Sequence, residues 1–221
     1  MNLPIYIYLI FILTTGLTYF LFIKATDYSK TISFAVAGWL FFQGILGYLE
    51  FYTYVGTEPY RFLLAAPPTL LIILGVFVSK RGRNWILSLD LKTLTILHSV
   101  RIPVELVLYW LFLHKTIPEL MTFSGRNFDI LAGITAPFVY YFGFVKNKIG
   151  RKGILLWNII CLILLLNIVI NAILSVPAPF QQFAFNQPNI AILYFPMVWL
   201  LAFVVPVVLF SHLVAIKRLY D

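Results

Sequence analysis

His98, Arg101, Glu105 and Tyr109 are spaced by three, four and four residues in an otherwise apolar run, so on a helix they form one polar stripe. Ionisable side chains in hydrocarbon are costly and turn toward a bundle interior or a wet cavity, which makes this stripe the leading candidate site. Glu105 is suited to exchange a proton or to hold a cationic group, Arg101 to tune that affinity, and His98 to relay protons. The bland alternative is an Arg101–Glu105 salt bridge that only fixes the helix. Pro103 lies inside the stripe and has no N–H for the carbonyl of Ser99, so a bend and a loose acceptor are expected at the same level.

Other polar residues join this lead. Gln43, beside Gly44 and Gly47, and Asn167, four residues before Asn171, are expected either to line the same cavity or to hold helices together. Glu50, Arg126 and Asp129 fall near the outer rim as a candidate gate. In the turn Ser124 to Asp129, Asn127 is expected to cap the following helix, Asp129 to favour its positive end, and Gly125 to adopt a conformation other residues avoid. His98 and His212 offer a weak alternative as two-helix ligands of a b-type haem. Against this, His212 is expected in the last turn or so of the final span, where a histidine snorkels to the interface. No metal site is expected beyond that alternative. The chain shows no HExxH, GxSxG, Walker or DxD pattern, which leans away from an enzyme. A single cysteine, Cys161, excludes an internal disulfide and a thiolate-rich centre.

These residues need a scaffold, and composition says which kind. Of 221 residues, 62% are hydrophobic and only 11% charged, too apolar for a soluble domain of this length. A single all-α domain over 1–221 is expected, with seven spans at about 3–23, 32–53, 61–79, 93–114, 128–146, 154–176 and 190–214. The first span is read as retained, since no Lys or Arg precedes it. Paired Pro67 and Pro68, Pro137, Pro196 and Pro206 are expected to break helices internally.

The formal charge of +8 does not point to nucleic acid, because 12 of the 16 basic residues cluster in alternate connections. Lys24 and Lys30, Lys80 to Lys92, Lys146 to Lys152, and Lys217 with Arg218 mark one side. The other carries Arg61, Lys115 and Arg126 with Glu50, Glu58, Glu119 and Asp129. The positive-inside rule then places the amino terminus outside and the carboxyl terminus in the cytoplasm of a plasma or inner membrane. Spans one to three and five to seven read as parallel triplets about span four. Gly16-Leu17-Thr18 matches Gly133-Ile134-Thr135, and Glu58-Pro59 with Pro67 mirrors Gln187-Pro188 with Pro196. This plan resembles SWEET-type sugar carriers in outline, without the Pro-Gln dipeptide those families carry. The uncharged loop Pro177 to Asn189 holds Phe180, Phe183 and Phe185, and reads as a lid or as an anchor in the headgroup layer.

The functional expectation is a small-solute or proton-coupled carrier whose partners are the bilayer and a small-molecule ligand. The alternatives are a membrane-embedded enzyme or haem protein acting on lipid or quinone, and a non-catalytic receptor or assembly subunit.

Overall fold

A computed structural model describes residues 3–54 and 60–220, among which the regular structure is all helical, with no strand. Glu58 and Pro59 of the proposed repeat lie outside these residues. Six helical segments are long and apolar enough to cross a membrane: Ile5–Ala25, Lys30–Tyr48, Arg61–Val78, Leu91–Leu113, Arg151–Leu174 and Leu200–Tyr220. Ile130–Val145 is a shorter apolar helix.

The last span departs most from expectation, beginning ten residues later than 190 and running to Tyr220. The apolar residues before it reflect burial rather than helix. Ala191, Ile192, Leu193, Met197 and Val198 all pack inside, within a short turn and an irregular approach that contains a cis Phe195–Pro196 bond. Lying ahead of the span, Pro196 does not interrupt it. Pro67 and Pro68 do mark a break in theirs: the Arg61–Val78 segment is a 3-10 helix over Arg61–Leu64, a bend, and then a new α-helix whose first turn the two prolines occupy, where no N–H is required.

Local chemistry explains the remaining elements. In α1 (Ile5–Ala25), Thr14, Thr15 and Thr18 donate their hydroxyls to carbonyls one turn back, so they present no unsatisfied group to lipid. Then come α2 (Lys30–Tyr48), α3 (Pro67–Val78) and α4 (Lys80–Ser88). The last is a short amphipathic helix, capped by Ser79 Oγ accepting from Gly82 N–H, with Trp85 stacked on Phe210. The fourth span is two helices, α5 (Leu91–Leu97) and α6 (Arg101–Leu113), joined by a 3-10 turn over His98–Val100. That change of winding falls where Pro103 withholds its N–H. Next, α7 (Ile130–Val139) contains Pro137 and widens into a π-helix over Tyr140–Val145. After α8 (Arg151–Leu174), a π-helix over Leu200–Val204 leads into α9 (Val205–Tyr220). Pro206 cannot donate to the carbonyl of Ala202, which accepts instead from Trp39 Nε1 and Thr69 Oγ1, both at 3.0 Å. A helix defect in α9 thus becomes the tie to α2 and α3.

The fourth and last spans form the centre. Their most apolar stretches are 50% and 61% buried, against 17% for α2 and for Arg61–Val78. α1 packs on α5 and α6, α7 on the 98–100 turn and α6, and α9 along α8 and across α5. At the end bearing the basic connections, Arg218 donates to the carbonyl of Leu89 and Arg151 to that of Leu219. Asp90 caps α5 by accepting from the backbone N–H of Lys92 and Thr93 and from the Thr93 hydroxyl. Burial pushes this carboxyl up, but those hydrogen bonds and the Lys92 charge outweigh it and hold it below its ordinary value.

These contacts set expected stabilities. Asp90→Ala should cost about 1 kcal/mol at neutral pH. Because the folded-state value is depressed, this contribution is complete above the ordinary carboxylate range and disappears as pH falls through the folded value, so unfolding curves of the two proteins should converge in acid. A Cβ on Gly47 would sit 2.7 Å from Val198 Cγ1 and 3.2 Å from the Phe195 backbone nitrogen, whereas one on Gly38 meets nothing. Gly47→Ala should lower the unfolding temperature in detergent, and Gly38→Ala should hold or raise it by the helix preference of Ala, about 1 kcal/mol.

Candidate functional site

Arg101 is the first residue of α6 and is almost fully enclosed, as are Glu105 one turn later, Asn127, and Asp129 at the start of α7. Arg101 Nε lies 3.2 Å from Asp129 Oδ2, an ion-pair distance out of line for a hydrogen bond. The expected Arg101–Glu105 bridge is not the pairing found. Glu105 Oε1 accepts instead from Asn127 Nδ2 at 2.6 Å. Asn127 also donates to the Met121 carbonyl at 3.0 Å and accepts from Asp129 N–H at 3.0 Å. It therefore both links the two acids and takes up the first N–H at the entry to α7, as expected of a residue at this helix start, while Asp129 itself makes no side-chain cap bond.

Two glycines permit this approach. A Cβ on Gly133 would fall 3.0 Å from Ile102 N and 3.1 Å from Arg101 Cβ, so any side chain there would push α7 away from α6. Gly125 has no positive φ, contrary to expectation; its Cβ would fall 2.2 Å from the Glu119 carbonyl oxygen, and the requirement is backbone proximity.

Nearer the basic end, His98 and His212 stack at 3.8 Å between ring centroids with 15° between planes. Asn158 Oδ1 lies 2.9 Å from His212 Nδ1, and Trp157 packs edge-on against His98 at 5.5 Å. Because α9 continues to Tyr220, His212 sits about two turns inside the helix and is fully buried, not snorkelling. Axial haem ligation needs two imidazole nitrogens facing one another across an iron, and these face-to-face rings leave no gap for a macrocycle.

The cluster is incompletely paired. Arg101 Nη1 and Nη2, Glu105 Oε2, Asp129 Oδ1, His98 Nδ1 and His212 Nε2 are buried without hydrogen-bond partners. An unmet buried polar group costs about 1–3 kcal/mol, more when charged, so these atoms are where ordered water, a proton or the polar end of a ligand would bind. Glu105 and Asp129 also line a cavity of about 170 Å³, whose other lining residues among those described are apolar, from the Arg61–Leu64 turn, α3, α6, α8 and the start of the last span, with Met121 and Ile192. Phe180 of the long loop packs on Tyr60 and Phe62, and Phe62 is part of that wall, so the loop folds over one end of the cavity.

The other expected site residues lie elsewhere. Gln43 accepts from Tyr52 Oη at 2.5 Å, away from the acids. Asn167 donates to the Arg126 carbonyl at 2.9 Å from an exposed position on α8. Tyr109 stacks on Phe123 at 4.9 Å. Of the three gate residues, Asp129 turns inward to Arg101, while Glu50 and Arg126 are exposed. Asn127 and Asn158 are the additions. Asn158 had a signal, since it shares one helical face with Cys161, Leu165 and Ile168, all buried.

Fold and site together define an all-helical protein of membrane character with a buried, partly unpaired acid–base cluster. The chain belongs to the family described as "Domain of unknown function (DUF8737)", which matches residues 60–220 and so spans the whole cluster while leaving α1 and α2 before it. No curated protein and no solved structure matches it.

Removing one partner of a buried ion pair leaves an uncompensated charge, whereas removing both does not. Arg101→Met alone should therefore cost about 3–5 kcal/mol, and Arg101→Met with Asp129→Leu should recover most of it. Denaturant unfolding in detergent measures both, and an Arg101→Met protein of unchanged stability would show that this guanidinium reaches water.

Proposed function

We propose that the protein is a small-solute carrier, coupled to protons, whose binding site is the acid end of the cavity. One observation carries this reading: the cavity reaches two buried carboxylates, each with an oxygen that has no partner. A bundle held together by its charges alone favours complete pairing, since every buried charge left open is a cost without a return. In this reading Glu105 alternates between a proton and the solute, with Arg101 and Asp129 as its electrostatic frame. His98 and His212, with their free ring nitrogens, connect the cluster toward the basic end.

The finer topology belongs to the same proposal. Ile130–Val145 serves as a seventh crossing, about 24 Å at 1.5 Å per residue, short enough to need local thinning of the bilayer. The basic connections lie in the cytoplasm and the amino terminus outside. The helices before and after span four then form parallel triplets, with the site at the element between them. Departures from α geometry near the cluster fit transport, since broken helices line the sites of many carriers.

Proteoliposomes loaded with a pH-reporting dye and challenged with a panel of small solutes test this. Wild-type protein should move protons with at least one solute, and Glu105→Gln should abolish the signal while keeping its unfolding temperature. Proton movement that is equal in both proteins, or absent with every solute, overturns the carrier; a Glu105→Gln protein that is merely unstable makes the residue structural.

A further inference from the structure

The composition of the cavity wall narrows the ligand. Among the described residues, Glu105 and Asp129 are the polar members of its wall, 1% and 5% exposed, and their carboxylate atoms Oε2 and Oδ1 are the ones left open. Arg101 pairs with Asp129 from behind and is not part of the wall. A molecule in this cavity therefore meets hydrogen-bond acceptors at one end and hydrocarbon everywhere else. It has to bring donors on a small head and an apolar body. With Asp129 matched to Arg101, the unmatched acid is Glu105, and a single positive charge on the head is its complement.

The route of entry is also written in the wall. Leu63 and Leu70, on the α3 side, are 38% and 40% exposed while still lining the cavity, and Val169 and Ile173 on α8 are half-buried. Since these residues sit on apolar spans, an opening between them would face hydrocarbon rather than water. At about 170 Å³ the space exceeds a water, about 30 Å³, several-fold, enough for a head and the first methylenes of a chain whose remainder stays in the bilayer.

We propose that the cavity between α3, α6, α8 and the start of the last span binds the ammonium end of a single-chain aliphatic amine, admitted laterally from the membrane, with Glu105 as the residue that selects the charged head. The inference rests on reading Glu105 as a ligand site, and it names the class of ligand.

The test is photolabelling of the full chain in phosphatidylcholine nanodiscs, using a twelve-carbon amine with a diazirine beside its head. Labelled peptides are mapped by mass spectrometry. Label should fall on α6, α8 and the start of the last span, and an excess of dodecylamine should remove it at concentrations where dodecanol and dodecanoate do not. Glu105→Gln should reduce it at least tenfold. Val169→Trp, which plugs the mouth without touching a charge, should do the same and carries the test if Glu105→Gln fails to fold. Label that competes equally with the alcohol and the acid, or that persists in well-folded Val169→Trp, is simple partitioning into lipid and overturns the proposal. Because labelling is a binding measurement, Glu105-dependent label in a protein that moves no solute would leave this inference standing and remove the carrier. Glu105-dependent transport without preference for the amine would do the reverse.

Discussion

A guanidinium offers five N–H donors and no acceptor, so Arg101, enclosed at the middle of the bundle, dictates what must stand next to it. Its answer is Asp129, which has to be carried into the interior on the first residue before α7. That demand sets several features at once. The connection after α6 must turn back far enough to bury Asn127, and the α7 backbone must pass close to α6 at Gly133.

Two departures from α geometry share a source. The 3-10 turn at His98–Val100 contains Ser99, whose carbonyl Pro103 leaves without its N–H, and the π-helix at Leu200–Val204 contains Ala202, whose carbonyl Pro206 leaves free in the same way. Each proline removes one rung of the helical ladder, and the chain rewinds there to reassign the remaining ones. At Ala202 the fate of a released carbonyl is visible, since the free acceptor is taken up by two neighbouring helices.

Much of the architecture was legible because hydrocarbon leaves few options. Uninterrupted apolar length located five of the six long segments to within a few residues, and the three-four-four spacing put His98, Arg101 and Glu105 on one buried face. What failed were inferences that treat apolarity as helix or polarity as surface. The stretch from Ile190 to Trp199 is apolar because it packs under the loop, not because it spans. Asp129 reads as a rim residue because it stands in a polar connection at the start of a span, and only the distance to Arg101 shows that it turns inward. Partner choice among Arg101, Glu105, Asn127 and Asp129 depends on how deeply one turn inserts, a tertiary quantity with no local signature. Of the two expectations for Gln43, the structure shows the packing one: a nearby Tyr52 satisfies it without reference to the acids.

The single carbonyl of Ala202 ties two helices at once. Trp39 on α2 and Thr69 on α3 both end on that oxygen, and these are the two least enclosed spans among the described residues. Trp199 Nε1 adds a second tie to α2 by donating to the Leu40 carbonyl. Since α3 and the start of the last span are also walls of the acid-ended cavity, the contacts that fasten the outer helices to the bundle are continuous with the contacts that enclose the cavity.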